Sequence, residues 1–129
     1  MPSGPSLVRL QGVSKSYGTG PNRLQVLDGV DLELRRGETT SLVGRSGSGK
    51  STLISLIAGL MRPDSGHVHI GGQQTDQLDE AARARLRAER IFAASRERDL
   101  TVLYVTHDER LARQAQRALR LADRKVVPA

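Results

Sequence analysis

The chain of 129 residues contains no cysteine, no tryptophan and only three aromatic rings, those of Tyr17, Phe92 and Tyr104. Without cysteine it has neither disulfide bonds nor thiolate metal sites. Because aromatic side chains are so scarce, we expect a core of Leu, Val, Ile and Ala. The most apolar stretch, residues 53–61, is also too short for a transmembrane helix, since a membrane span needs roughly 20 residues.

Acidic residues are outnumbered by basic ones, which gives a net charge of +6 carried by 17 arginines and 3 lysines. A basic balance can indicate nucleic-acid binding. The arginines, however, alternate with Ala and Leu in two helix-like stretches, 83–98 and 110–125, and no group of aromatic side chains accompanies them. We therefore interpret them as solvated helix faces and expect no nucleic acid as partner, with a basic nucleic-acid-binding domain kept as a lesser alternative.

Apolar periodicity predicts an α/β protein with strands on both sides of a glycine-rich loop. The predicted strands are 7–10, 26–34, 39–43, 67–70 and 101–105, followed by a terminal hairpin of 118–121 and 125–127. Helical patterns cover 50–60, 79–92 and 108–115. Strand 26–34 alternates apolar and polar residues, which favours a half-buried antiparallel strand.

The glycine-rich loop has the pattern G-x-x-x-x-G-K-[ST], in the stretch GRSGSGKS between a predicted strand and a predicted helix. Its glycines allow backbone N–H groups to turn toward phosphate oxygens, and the following helix directs its positive end at the same anion. Lys50 adds a charge for the β- and γ-phosphates, and the Ser51 hydroxyl can ligate Mg²⁺. The sequence therefore predicts a site for a nucleoside triphosphate, above all ATP, at Gly44, Arg45, Ser46, Gly47, Ser48, Gly49, Lys50, Ser51 and Thr52.

With this loop, the chain resembles the nucleotide-binding subunit of an ABC transporter, nearest the lipoprotein-release and macrolide-export kind. The resemblance is carried by LVRLQGVSKSYGTG, VLDGVDLELRRGETTSLVGRSGSGKSTLISLIAGLMRPDSGHVHIGGQ, TVLYVTHDERLA and ALRLADRKVV. It implies a P-loop NTPase fold with an antiparallel N-terminal β portion beside a parallel core. It also implies that ATP and Mg²⁺ bind, that hydrolysis drives transport through a transmembrane permease partner, and that the subunit forms a homodimer. The expected location is cytoplasmic, at the inner face of the plasma membrane.

Two further residues receive roles from this resemblance. Tyr17, in VSKSYG, matches the aromatic residue that stacks on adenine in the family. His107, in YVTHDE, matches the switch histidine that contacts the γ-phosphate and helps to hold the attacking water. The resemblance thus implies that Tyr17 binds the nucleotide and that His107 is catalytic.

The middle of the family pattern is missing. In the family, many tens of residues containing the glutamine loop, the LSGGQ signature and the Walker B carboxylates precede the histidine strand. Here Lys50 and His107 are only 57 positions apart, and roughly a hundred residues, a small domain's worth, are absent near 92–93. We expect residues 1–129 to form a single, internally truncated domain that binds ATP but hydrolyses it poorly.

Two alternatives remain open. Asp108-Glu109 follows an apolar strand and imitates a Walker B ending, which would suit a compact P-loop kinase or GTPase. The chain would otherwise be a non-catalytic ATP-binding fragment or regulatory module. Arg124 also departs from the family, which has Gly at this point of a tight turn; a hairpin there would lose its preferred residue.

Overall fold

The fold is mixed α/β, in a computed structural model that describes residues 6–45, 48–86, 102–106 and 108–129. Its strands are β1 (Ser6–Tyr17), β2 (Leu24–Arg35), β3 (Thr39–Val43), β4 (Ser65–Ile70), β5 (Gln73–Gln74), β6 (Val102–Thr106), β7 (Arg117–Ala122) and β8 (Lys125–Pro128). Its helices are α1 (Lys50–Ile57), α2 (80–86) and α3 (Glu109–Ala112), and a 3₁₀ turn covers Gly20–Asn22. Within these ranges, no helix is both long and apolar enough to cross a bilayer.

The N-terminal strands form an antiparallel sheet in the order β2-β1-β4-β5. The predicted antiparallel portion is therefore confirmed, but β1 is much longer than the predicted strand 7–10. Its register with β2 shifts between Leu10 and Val13, so an irregularity around Gly12 lets the strand continue to Tyr17. This continuation carries Tyr17 away from the sheet centre and toward α1.

The second sheet has the order β6-β3-β7-β8 and contains the parallel core. β3 pairs in parallel with β6 from Thr39↔Val102 to Val43↔Thr106, and with β7 on its other side. The strand before His107 is thus the parallel neighbour of strand 39–43, and it begins one residue later than the predicted 101–105. Among the described strands β6 lies at the edge of this sheet.

The C-terminal hairpin of β7 and β8 forms as predicted, although Arg124 replaces the family's glycine. Asp123 and Arg124 both have positive φ, 51° and 65°. The N–H of Asp28 in β2 donates to the Arg124 carbonyl at 2.9 Å, and the Lys125 ammonium donates to the Asp28 carbonyl at 2.9 Å. These contacts with β2 brace a turn that is strained for residues with side chains.

The core is aliphatic, as the scarcity of aromatic residues predicts, and both sheets and α1 contribute to it. α1 is shorter than the predicted helix 50–60, because the chain turns at Gly59, where φ is 73°. Buried Arg83 of α2 donates to the Gly59 carbonyl at 3.2 Å, which fixes the segment after α1. α3 is also shorter than the predicted helix 108–115, and the predicted helix 79–92 lies outside the described residues beyond 86. The buried core cluster is Leu7, Val8, Leu10, Val13, Leu27, Val30, Leu32, Leu34, Leu42, Leu53, Leu56, Ile57, Val68, Ile70, Leu86, Leu119 and Leu121.

Candidate functional site

The glycine-rich loop leaves the end of β3 and enters α1, as the sequence predicts. The Ser48 N–H donates to the Arg45 carbonyl at 3.1 Å, and the Leu53 N–H donates to the Gly49 carbonyl at 2.9 Å, which starts the helix. Gly49 has φ of 96°, and a Cβ on it would lie 3.0 Å from the Val26 carbonyl oxygen. Only glycine suits this position, since it avoids both the backbone strain and the contact.

The described part of the loop offers hydrogen-bond donors to an anion. The Ser48 hydroxyl is buried and has no hydrogen-bond partner within the described residues. The first turn of α1 contains no acidic side chain that would oppose an anion at its positive end. Ser51 is exposed, and Lys50 is half-buried in this turn. The loop therefore fits phosphate oxygens, with Ser51 accessible to a metal ion; Ser46 and Gly47 lie outside the described residues.

Tyr17 lies beside the same helix. Its hydroxyl and that of Thr52 are 3.0 Å apart and hydrogen-bonded, and it also lies 3.5 Å from the Met61 sulfur. Thr52 is only 7% exposed, whereas Tyr17 is 43% exposed. The ring predicted to stack on a base is thus accessible, and it is tied to the helix predicted to hold the phosphates.

A cleft of about 630 Å³ opens at the carboxyl ends of β3 and β7, the edge at which open α/β sheets bind ligands. It includes Gly44, Arg45 and Ser48 of the loop, but its lining does not include Lys50 or Tyr17. The cleft therefore touches only the first half of the loop. The contacts of the loop and of Tyr17, rather than this cavity, define the candidate site. The cleft is lined by Val43, Gly44, Arg45, Ser48, Glu109, Arg120, Leu121, Ala122 and Asp123.

The two carboxylates that imitate a Walker B ending both have local partners. Asp108 caps α3, since its carboxylate accepts from the Arg110 N–H at 2.9 Å. Glu109 lines the cleft and forms an ion pair with Arg120, which lowers the pKa of Glu109 below its ordinary value. His107, the predicted catalytic residue, lies outside the described residues, and no cluster of three or more acidic or histidine side chains suited to a metal occurs within the described ranges.

Sequence reasoning missed two residues near Tyr17. The Lys15 ammonium lies over the Tyr17 ring, 5.8 Å from its centre, and it is paired with Asp64 at 3.4 Å. Asp64 belongs to a Pro-Asp-Ser-Gly turn, and nothing in that turn indicates a contact with β1. Lys15 lies two positions before Tyr17, but its place over the ring depends on Asp64. This contact across the chain had no sequence signal.

Comparison with known proteins identifies the family of the chain. The model of the family described as ABC transporter matches residues 27–128. The chain is 48% identical over 86 residues to the uncharacterized ABC transporter ATP-binding protein YbbA of Escherichia coli K12, covering 67% of this chain and 38% of that protein. It is 43% identical to the lipoprotein-releasing system ATP-binding protein LolD 1 of Caulobacter vibrioides, covering 67% and 37%. The chain thus spans less than two-fifths of the curated relatives it matches.

A solved structure has the same fold. It is titled as the dimeric structure of MJ0796, a bacterial ABC transporter cassette, and it aligns with a TM-score of 0.78 at 20% identity. The alignment covers 93% of this chain and 96% of that one. At this identity the likeness concerns the fold, and it confirms the α/β P-loop architecture.

Proposed function

Because the chain belongs to the ABC transporter family, we propose that it binds Mg-ATP through residues 44–51 and Tyr17. The observation that carries this proposal is the hydrogen bond between Tyr17 and Thr52. It joins the ring suited to a base to the first turn of the helix that follows the phosphate loop. Base and phosphate contacts therefore lie at one end of one helix, as a single nucleotide requires.

Three side chains of the loop have distinct roles in this proposal. Lys50 supplies positive charge for the β- and γ-phosphates, and the buried Ser48 hydroxyl gains a phosphate oxygen as partner. The accessible Ser51 hydroxyl would hold Mg²⁺, which neutralises phosphate charge when bound. Tyr17 presents its exposed ring to the adenine, and base stacking of this kind is worth roughly 1–3 kcal/mol. The backbones of Gly44, Arg45, Ser46, Gly47 and Gly49, with Thr52, complete the site.

In the same proposal, residues 1–129 form one internally truncated domain that hydrolyses ATP slowly. The sequence locates the interruption near 92–93, and the match of the family model on both sides of this point, over residues 27–128, supports it. Asp108 and Glu109, the two carboxylates that imitate a Walker B ending, are engaged by the Arg110 N–H and by Arg120, which supports slow turnover. His107 would contact the γ-phosphate without the family's Walker B carboxylate to orient the attacking water. This arrangement favours binding over turnover.

The family and the relatives' names support a role in transport. The proposed partner is a transmembrane permease subunit or domain, and the proposed location is the cytoplasmic face of the membrane that holds it. A homodimer follows from the family, but the interruption removes the signature sequence with which one subunit would complete the site of the other. Coupling of ATP to transport is therefore proposed for the intact family pattern, and ATP binding for this chain.

Calorimetric titration with Mg-ATP tests the proposal. The parent chain is expected to bind, and Lys50→Ala is expected to lose about 100-fold or more in affinity, because the phosphates lose a charge-assisted contact. Lys125→Ala is the matched control, since it removes the charge of a lysine that pairs with Asp28 and is not among the residues assigned to the site. Binding that is equal in Lys50→Ala and the parent would refute the assignment of the loop.

A further inference from the structure

The end of β1 that carries Tyr17 is attached to a segment almost fifty residues later in the chain. The Asp64 carboxylate accepts from the Ser16 N–H at 2.7 Å and from the Lys15 ammonium at 3.4 Å. Lys15 also donates to the Arg62 carbonyl at 3.0 Å. The two residues directly before Tyr17 are therefore both held by the segment that follows α1.

This segment lies against β1 because the backbones approach closely. The Asp64 N–H donates to the Ser14 carbonyl at 2.9 Å. Two residues later, Gly66 has φ of 87°, and a Cβ there would lie 2.4 Å from the Gly12 carbonyl oxygen. Only glycine permits this approach. The chain thus places Asp64 beside Ser16 through backbone geometry as well as through the side-chain contacts.

These contacts restrict the ring of Tyr17 from several directions. The Lys15 ammonium, which Asp64 and Arg62 hold in place, lies over the ring. The hydroxyl of the ring is fixed to Thr52. One face of the ring is consequently associated with a cation, and its tilt is set by α1. A base then stacks on the opposite face, and little freedom of the ring is lost when it does so.

We propose that Asp64 is a positioning residue for nucleotide binding, which acts by holding Lys15 and Ser16 so that Tyr17 presents one defined face to the base. This inference rests on the proposed function, since it concerns the base end of that site. Asp64 itself touches neither base nor phosphate in this account. Substitution of Asp64 should therefore lower the affinity for ligands that contain a base and leave the affinity for ligands without a base unchanged.

The test compares Mg-ATP with inorganic triphosphate as ligands of the full chain. Asp64→Ala is expected to weaken ATP by about three- to tenfold, a fraction of what stacking contributes, and to leave triphosphate unchanged. Asp64→Asn retains an acceptor for the Ser16 N–H but loses the ion pair with Lys15. It is expected to fall between Asp64→Ala and the parent, and it carries the test if Asp64→Ala does not fold.

A double-mutant cycle with Tyr17→Ala separates positioning from general destabilisation. If Asp64 acts through Tyr17, Asp64→Ala has no further effect on ATP affinity once the ring is gone. Equal weakening of ATP and triphosphate, or an unchanged effect in the Tyr17→Ala background, would overturn the inference. If the parent bound neither ligand, the proposed function itself would fail.

Discussion

The N-terminal region, up to residue 86, and the C-terminal region, 102–129, use their polar side chains differently. In the N-terminal region Tyr17 contacts Thr52, and Asp64 contacts the backbone and lysine beside Tyr17. In the proposed site, these contacts orient groups toward the nucleotide. In the C-terminal region Asp108 caps a helix and Glu109 pairs with Arg120, so these acidic groups stabilise the local fold. The comparison indicates that the elements of the proposed binding site lie in the N-terminal region, whereas Asp108 and Glu109 of the C-terminal region already have structural partners.

The largest expected effect comes from a substitution in the phosphate loop of the N-terminal region. Gly49→Ala should lower the free energy of unfolding by about 1–2 kcal/mol because the residue has a positive φ. It should lower it further because the new Cβ would lie 3.0 Å from the Val26 carbonyl oxygen. Gly72→Ala is the matched control, since Gly72 also has positive φ, 85°, but open space around its Cβ position. Thermal unfolding should show the greater loss for Gly49→Ala, together with loss of ATP binding. Equal stabilities of the two variants with ATP binding retained would show that the loop tolerates a side chain.

The next effect contrasts a carboxylate from each region. Burial raises the pKa of Asp76, but hydrogen bonds from the Val68 N–H at 3.0 Å, from Gln74 at 3.0 Å and from His67 outweigh it, so the pKa is lowered. Asp76 therefore stabilises the fold at pH values above its ordinary pKa near 3.9. This stabilisation is lost as the pH falls through the lowered pKa of the folded state. Asp76→Asn should therefore cost about 1 kcal/mol at pH 7. In urea unfolding, its difference from the parent should shrink in acid.

Glu109 provides the comparison in the C-terminal region. Arg120 lowers its pKa in the same direction, first by a hydrogen bond and then by its charge, but the Glu109 side chain is 53% exposed, against 11% for Asp76. Salt at 1 M reduces the screening length to about 3 Å, so the effect of Glu109→Gln on unfolding should fall with salt. The effect of Asp76→Asn should persist. If salt removed both effects alike, the partly buried hydrogen bonds of Asp76 would not account for its contribution to stability.

Much of this fold follows from local sequence patterns. The loop 44–51 has its own signature, β3 has the predicted bounds of 39–43, and the terminal hairpin forms between the predicted strands. These features depend on neighbouring residues, because glycine geometry and apolar periodicity act over short stretches. The parallel core, which contains β3 and β6, was implied by the family resemblance.

The remaining features depend on contacts between distant residues. The continuation of β1 to Tyr17 required a register shift near Gly12, and the polar sequence SKSY gave no strand pattern. The bond between Tyr17 and Thr52 joins residues 35 positions apart, and the contact of Asp64 with Ser16 joins residues 48 apart. Sequence patterns carry no direct information about such pairs. The sequence therefore predicted roles for Tyr17 and for the loop 44–51 without predicting a contact between Tyr17 and α1. That contact is known only from the structure.

The smallest expected effect concerns turnover, and it tests the C-terminal side of the comparison. We expect purified chain to release phosphate from ATP far more slowly than about 1 per second, an ordinary enzyme rate. Because the Glu109 carboxylate is engaged by Arg120, Glu109→Gln should leave this residual rate unchanged. Lys50→Ala should abolish the residual rate if it arises at the proposed site, which separates it from a contaminating ATPase.

This result depends on where the carboxylate of Glu109 is held. Glu109 lines the same cleft as Gly44 and Ser48, so it lies close enough to the loop to orient a water there. Its ion pair does oppose that role, because a group that orients water must accept a hydrogen bond from the water in the reacting complex. Turnover near 1 per second that fell by about 100-fold or more in Glu109→Gln, within the range of general-base effects, would contradict this account. The chain would then be a compact P-loop NTPase, in which Arg120 releases Glu109 when ATP binds.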